Sequence, residues 1–332
     1  MTEWLIERGI GETRAALVAG GRIVAARIER PGLRAGTIMP VRLGARLGDR
    51  RRATVRVDDG SELILSPVPK GLTEGAPLVV EVVREPLIEG RGRAKPALVR
   101  PAGPDAAPAL GPDLVARIAV TAVPHRFVQP HEADALEAAG WSETLAEAMD
   151  GRIDFTGGAL LLALTPAMTL IDVDGEAAPR ALALAAAPAI GAAIERHDLQ
   201  GSIGIDFPTL VARADRQAVG EALDAALARP AERAAMNGFG FVQLAIRRER
   251  ASFAELLQGD RRLAHALALL RRAERVGGSG AITLSAHPAI ERRIAARPDW
   301  IAELERRAGR RLLLAADPKL RIGGGHVQAE QP

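Results

Sequence analysis

The sequence predicts a mixed fold, in which all-β segments precede an α/β core, and three observations carry it. Two apolar runs, 168–175 and 201–207, carry aspartates at their C-terminal ends: Asp172 and Asp174 in the first, Asp206 in the second. An alanine-rich stretch, 181–197, separates the two runs and reads as one helix. Strand, helix, strand is the layout that makes two strands parallel neighbours. Upstream, short runs rich in Val, Ile and Leu alternate with turn signals as far as residue 95, the pattern of small all-β units.

Each element follows from its own signal. Residues 12–19 and 22–30 are extended runs around Gly20-Gly21, a short-hairpin turn, and Pro31-Gly32 closes the pair. Runs 36–43, 53–57, 62–65 and 77–84 follow, with Asp58-Asp59-Gly60 as a hairpin turn. About five short strands in roughly 60 residues suggest a small barrel of the OB type. Breaker composition over 101–112 marks a linker. Residues 113–120 start either a strand or a helix. Segments 132–139 and 142–149 read as helical, with Ser142 as an N-cap. Run 158–164 is a buried strand, and Thr165-Pro166 turns it back antiparallel into 168–173. The crossover helix 181–197 contains Pro188, which predicts a kink. Strand 202–207, helix 215–228 and strand 238–248 complete the core, and the last ends in Arg247-Arg248-Glu249-Arg250. Helices over 261–275, 288–296 and 300–307 alternate with strands 281–284 and 311–315. The domains so defined are N-terminal strands packing on the core (1–34), the barrel (35–100), a linker (101–112), the core (113–255) and a small C-terminal α/β domain (256–332).

Composition bounds the chemistry. The absence of cysteine excludes disulfides, thiolate nucleophiles and cysteine-bound zinc, and it fits a reducing compartment. Neither the opening residues nor the apolar run 181–194 reads as a signal peptide or a membrane span, so a cytoplasmic protein with no membrane partner is expected. The net charge is +3 and unevenly spread: residues 101–230 carry an excess of acid, and basic residues dominate both flanks. That asymmetry suggests a polyanion held by the flanks and a cation held by the centre. Arginine-rich surfaces also arise without such a role.

The aspartates are the leading candidates for chemistry. Carboxylates at the C-terminal ends of adjacent parallel strands point into the crevice where open α/β sheets place ligands. Asp174 follows Asp172 by two residues, so both side chains face the same side of a strand. Same-side carboxylates repel unless a cation or a shared proton compensates. Mg2+ does this and leaves water positions open, and Mn2+ is its ready substitute. The six histidines show no ligand spacing, and the Gly323-Gly324-Gly325 run lacks the Lys and Ser/Thr of a phosphate loop. Arg247, Arg248 and Arg250 are candidates for phosphate contact. With 3% aromatic residues and no tyrosine, extensive base stacking is disfavoured.

At these residues the chain resembles the ribonuclease E/G family. The opening 5–32 is similar to the family's N-terminal strands, and 91–97 is similar to the exit from its OB-type domain. Gly157-Gly158 to Asp174 resembles its catalytic hairpin. Residues 198–207 resemble its Leu-Gly-Gly-x-Ile-x-Ile-Asp-Phe segment, and 238–253 resemble its Phe-Gly-Leu-x-Glu strand with the basic residues after it. The similarity is most specific over 157–253.

The resemblance implies a core like that of deoxyribonuclease I, in which two aspartates hold a magnesium ion that activates water against a phosphodiester. By position those ligands are Asp172 and Asp206, and Asp174 stands where the family usually has asparagine. The family's zinc-linking cysteines are absent, so no zinc is expected, and any homodimer forms without a zinc link. Little of its 5′-end sensor fits before residue 157. No aromatic residue lies between Arg34 and Ala102, so the barrel would grip single-stranded RNA through Arg42, Arg46, Arg50, Arg51 and Arg52. The expectation is a reduced, magnesium-dependent endoribonuclease of RNA processing or decay. An RNA-binding relative without catalysis and an enzyme of small phosphate compounds are the alternatives.

Overall fold

Residues 2–48, 51–89 and 93–329 are described by a computed structural model. They fall into two units, each assembled from separate stretches of chain. One comprises Met1–Pro31, Ala122–Asp150 and Leu256–Pro332, the other Gly32–Thr121 and Gly151–Glu255. The protein is thus a mixed α/β fold with a closed five-stranded barrel and several further sheets among the described residues.

In the first unit, Thr13–Ala19 pairs antiparallel with Thr2–Arg8 on one side and with Arg22–Glu29 on the other. His125–Phe127 adds a parallel edge strand beside Thr2–Arg8. Gly20 and Gly21 both adopt positive φ, as the two-residue turn demands. The C-terminal part centres on Ile282–Ala286, flanked by Leu312–Ala316 and His326–Ala329. Helices Arg261–Arg275, Pro288–Ala295 and Pro298–Ala308 supply Leu267, Leu270, Ile290, Trp300 and Leu304 to the same core. Ile10, from the turn after the first strand, belongs to that core too. Segments 122–150 and 256–332, which the sequence assigns to two different domains, therefore pack with the N-terminal strands.

Buried charge ties these segments together. Glu7 accepts from Arg14 Nη1 at 2.8 Å, Arg271 Nε at 2.8 Å and Arg275 Nη2 at 2.7 Å. Arg271 Nη2 also donates to Asp134 at 2.6 Å. Asp134 in turn caps a short helix, Ala135–Ala138. Ser142 is not the cap expected: the next helix, Trp141–Asp150, already includes it, and its hydroxyl donates to Glu137.

The second unit begins with the barrel. Its strands are Ile38–Leu47, Arg52–Arg56, Glu62–Leu65, Pro77–Arg84 and Leu98–Pro101. Around the barrel the order is first, second, third, fifth, fourth, and back to the first. All pairs are antiparallel except Glu62–Leu65 with Leu98–Pro101. Strict alternation turns Val41, Leu43, Val55, Leu63, Leu65, Val80, Val82 and Val99 inward. Beyond the barrel, 113–120 resolves into the helix Leu114–Ala119, capped by Asp113.

The same unit holds a six-stranded sheet in the order Arg152–Phe155, Gly158–Leu164, Thr169–Asp174, Gly201–Asp206, Phe241–Ile246 and Glu232–Arg233. Only Thr169–Asp174 and Gly201–Asp206 are parallel neighbours. The crossover helix between them, Pro179–Arg196, continues through Pro188. It packs with the helix Arg213–Ala226, and Gly191 permits the approach, because a Cβ there would lie 2.4 Å from the carbonyl of Ala226. Among the described residues no helix is long and apolar enough to cross a membrane.

Candidate active site

The two central strands present their aspartates for a simple reason. Thr169, Ile171 and Val173 alternate inward and are buried, so Asp172 and Asp174 emerge on the opposite face. Ile203 and Ile205 do the same in the neighbouring strand and leave Asp206 exposed. The register then decides the site: Asp172 is the Cα partner of Asp206. Neighbouring strands lie about 5 Å apart, so the two carboxylates rise side by side. Asp174 stands one pleat further along, about 7 Å away by strand rise.

The cross-strand row through the pair reads Leu161, Asp172, Asp206, Phe241. Behind it, Gly204 allows the Phe241 ring to settle on the sheet. A Cβ at Gly204 would lie 2.6 Å from Phe241 Cζ, 2.9 Å from Leu170 Cδ2 and 3.0 Å from Met168 Sδ. The acidic pair is therefore bordered by an apolar floor on one side and is open at the C-terminal edge of its strands.

Among the described residues, no arginine, lysine or backbone N–H pairs with Asp172, Asp174 or Asp206. Like charges directly opposite each other in a sheet are destabilising, and no ion pair relieves this one among the described residues. Hard oxygen donors without an internal counter-ion fit Mg2+, which is held through one or two carboxylates and keeps several waters. Asp174 does not convert the pair into a three-carboxylate set. Among the described residues no group of three or more His, Cys, Asp or Glu side chains is arranged to hold a metal ion.

Arg247, Arg248 and Arg250 are not at this edge. Phe241–Ile246 runs antiparallel to Gly201–Asp206, with Phe241 opposite Asp206 and Ile246 opposite Gly201. The arginines thus leave the sheet at its other end, roughly 17 Å from the acidic pair by strand rise. There they are ion-paired: Arg247 with Glu249 at 3.4 Å, Arg248 with Glu255, and Arg250 with Asp198 at 2.9 Å. Asp198 also takes Arg229 at 3.1 Å. Burial lowers the Arg229 pKa, but Asp198 and Glu195 outweigh it and hold it above the ordinary arginine value. The ion pairs hold the turn between the crossover helix and its strand, at the end of the sheet away from the aspartates.

Two features escaped the sequence reading. The first turns of the two helices at the acidic edge are joined by Arg180 and Asp215 at 2.8 Å, and Arg213 is exposed beside them. The turn before Phe241–Ile246 lifts Phe239 into solvent at 82% exposure. The Gly238-Phe239-Gly240 spacing was its only signal in the sequence.

On the barrel, Arg42, Arg51 and Arg52 are exposed. Arg42 Nη1 reaches Gly75 O at 3.4 Å and Arg46 Nη2 reaches Leu72 O at 3.0 Å. Arg46 also lines an open cleft with Leu43, Gly44, Gly48 and Glu74. Arg50 and Arg91 lie outside the described residues. The barrel and the sheet belong to one unit and are bonded directly, Glu85 N donating to Glu249 O at 2.8 Å. No family model matches the chain, and no curated protein matches it.

Proposed function

We propose that this chain is a magnesium-dependent endoribonuclease that hydrolyses phosphodiester bonds in single-stranded RNA. The observation that carries the reading is the in-register pair Asp172 and Asp206, at the C-terminal edge of two parallel strands and without a cationic partner among the described residues. Bound there, a magnesium ion would supply Lewis-acid and water-activating chemistry at a phosphodiester. Asp172 and Asp206 are its holders. Asp174 sets the local charge from one pleat away. Arg213, exposed at the start of the second helix, adds positive charge near that edge, whereas Arg180 is paired with Asp215.

The barrel reading is of the OB type, supported by the strand order 1-2-3-5-4 and the parallel closure between its third and fifth strands. Its exposed arginines suit the phosphate backbone of a single strand. A mixed sheet with the acidic pair at its centre is compatible with a deoxyribonuclease I-like core and with a reduced member of the ribonuclease E/G family in the cytoplasm.

The test is cleavage of an end-labelled single-stranded RNA in magnesium by the wild type, Asp172→Asn and Asp206→Asn. Both variants should lose about 1,000-fold or more in rate, since several kcal/mol of charge stabilisation goes with the ion. Wild-type rates in both would end the assignment. One observation favours a second reading, RNA binding without cleavage: no third ligand converges on the pair among the described residues. That reading predicts salt-sensitive RNA retention and no metal-dependent product.

A further inference from the structure

Phe239, at 82% exposure, is the most exposed phenylalanine or tryptophan of this chain. Of its six phenylalanines and three tryptophans, the next most exposed is Phe127 at 39%, and that ring lies under the Arg8 guanidinium. A single exposed ring is ordinary on a protein surface; what distinguishes Phe239 is its place beside the acidic pair.

The backbone that carries the ring is held by its turn. Asn237 Oδ1 accepts from Phe239 N at 2.9 Å and from Phe241 N at 3.0 Å, and Thr209 Oγ1 donates to Phe239 O at 3.4 Å. Gly240, at φ +94°, lets the turn press against the loop after Asp206, where its carbonyl accepts from Phe207 N at 3.2 Å. That loop is fixed as well, because Arg216 Nη1 donates to the carbonyls of Leu210 and Val211 at 2.7 Å each. Val211, 93% exposed, is its own apolar projection.

The place matters as much as the exposure. Phe239 precedes Phe241 by two residues, at most about 7 Å of chain, and Phe241 is the cross-strand partner of Asp206. An exposed aromatic side chain on a hydrogen-bonded turn therefore stands at the same edge as the acidic pair, with the exposed Arg213 at the start of the neighbouring helix.

We propose that Phe239 is a stacking platform for one unpaired base of a single-stranded RNA whose backbone phosphate lies at Asp172 and Asp206. This deepens, and rests on, the endoribonuclease reading of the same site. One ring and one valine are too little apolar surface for a stable protein interface, whereas a base needs one π-face and accepts any sequence. A duplex has no free base to offer, so the platform would select single strands.

The experiment uses the full chain, magnesium and a fluorescent 2′-O-methyl oligonucleotide that resists cleavage. Anisotropy should show Phe239→Ala binding about 5- to 150-fold more weakly, the range for loss of one base–aromatic stack. Phe239→Trp should restore or exceed wild-type affinity. A 2-aminopurine stepped along the strand should change its fluorescence at one position with the wild type and Phe239→Trp, and not with Phe239→Ala. Equal binding by Phe239→Ala, or no position-dependent response with the wild type, overturns the platform. Conversion of a dimer to a monomer by Phe239→Ala with RNA binding intact overturns it too, and makes the ring a contact between copies.

Cleavage of unmodified RNA, measured in parallel, separates the two claims. A wild type that stacks but does not cleave keeps the platform and removes the nuclease. A wild type that cleaves, with Phe239→Ala binding equally well, removes the platform alone.

Discussion

Asp172 and Asp206 are Cα partners on adjacent parallel strands, with both side chains on the exposed face of the sheet. Their mutual repulsion gives a signature independent of any reaction. Asp172→Asn should raise stability without metal by about 0.2–1 kcal/mol. Magnesium should stabilise the wild type, by about 2.7 kcal/mol at a hundredfold excess over its dissociation constant, and leave the variant unmoved. Thermal melts with and without magnesium read both effects, and equal shifts in the two proteins would separate the ion from this pair.

Asp174 faces the same side one pleat away. At roughly 7 Å in water a unit charge repels a phosphate by about 0.6 kcal/mol. Asp174→Asn should therefore tighten RNA binding about threefold at low salt, and the gain should fade as salt rises. A loss of cleavage beyond about tenfold would instead make Asp174 a ligand. The readout is KM and kcat across a salt series.

Arg250 is ion-paired with the buried Asp198 at 2.9 Å. Arg250→Ala should cost about 1–3 kcal/mol of stability, the worth of a hydrogen bond to a buried charge. It should leave the salt dependence of RNA binding unchanged. Arg42→Ala, on the exposed face of the barrel, should do the reverse and reduce the logarithmic salt slope by about one. Urea melts and salt-titrated anisotropy on both variants decide between the roles.

Glu7 makes part of the fold acid-labile. Burial pushes its carboxyl up, but Arg14, Arg271 and Arg275 outweigh burial and hold it below the ordinary 4.5. A depressed carboxyl contributes stability that is complete above 4.5 and is lost as pH falls through the folded value. Glu7→Gln, leaving three arginines short of one carboxylate, should cost about 3–5 kcal/mol at neutral pH. It should also flatten the decline of the urea midpoint below pH 4.5. Parallel profiles for the two proteins would place the acid-sensitive group elsewhere.

The legible parts of this chain were those set by local pattern. Alternation gave the barrel strands, and strand, helix, strand gave the parallel neighbours that bring Asp172 beside Asp206. What the pattern does not carry is direction and long-range partnership. Arg247, Arg248 and Arg250 follow an apolar strand in either orientation, and only pairing with Gly201–Asp206 reveals that they leave at the far end. The union of the N- and C-terminal segments depends on Glu7 meeting Arg271 across 264 residues, which no periodicity records. Phe239 was hidden because turn glycines read the same whether the residue between them is buried or displayed.

The central claim is that Asp172 and Asp206 share a divalent cation. The measurement that tests it most directly is the anomalous scattering of crystals soaked in manganese. One peak between the two carboxylates, about 2.0–2.3 Å from an oxygen of each, is the predicted result. Its absence at a manganese concentration that supports cleavage, or a peak only at other residues, would contradict the account.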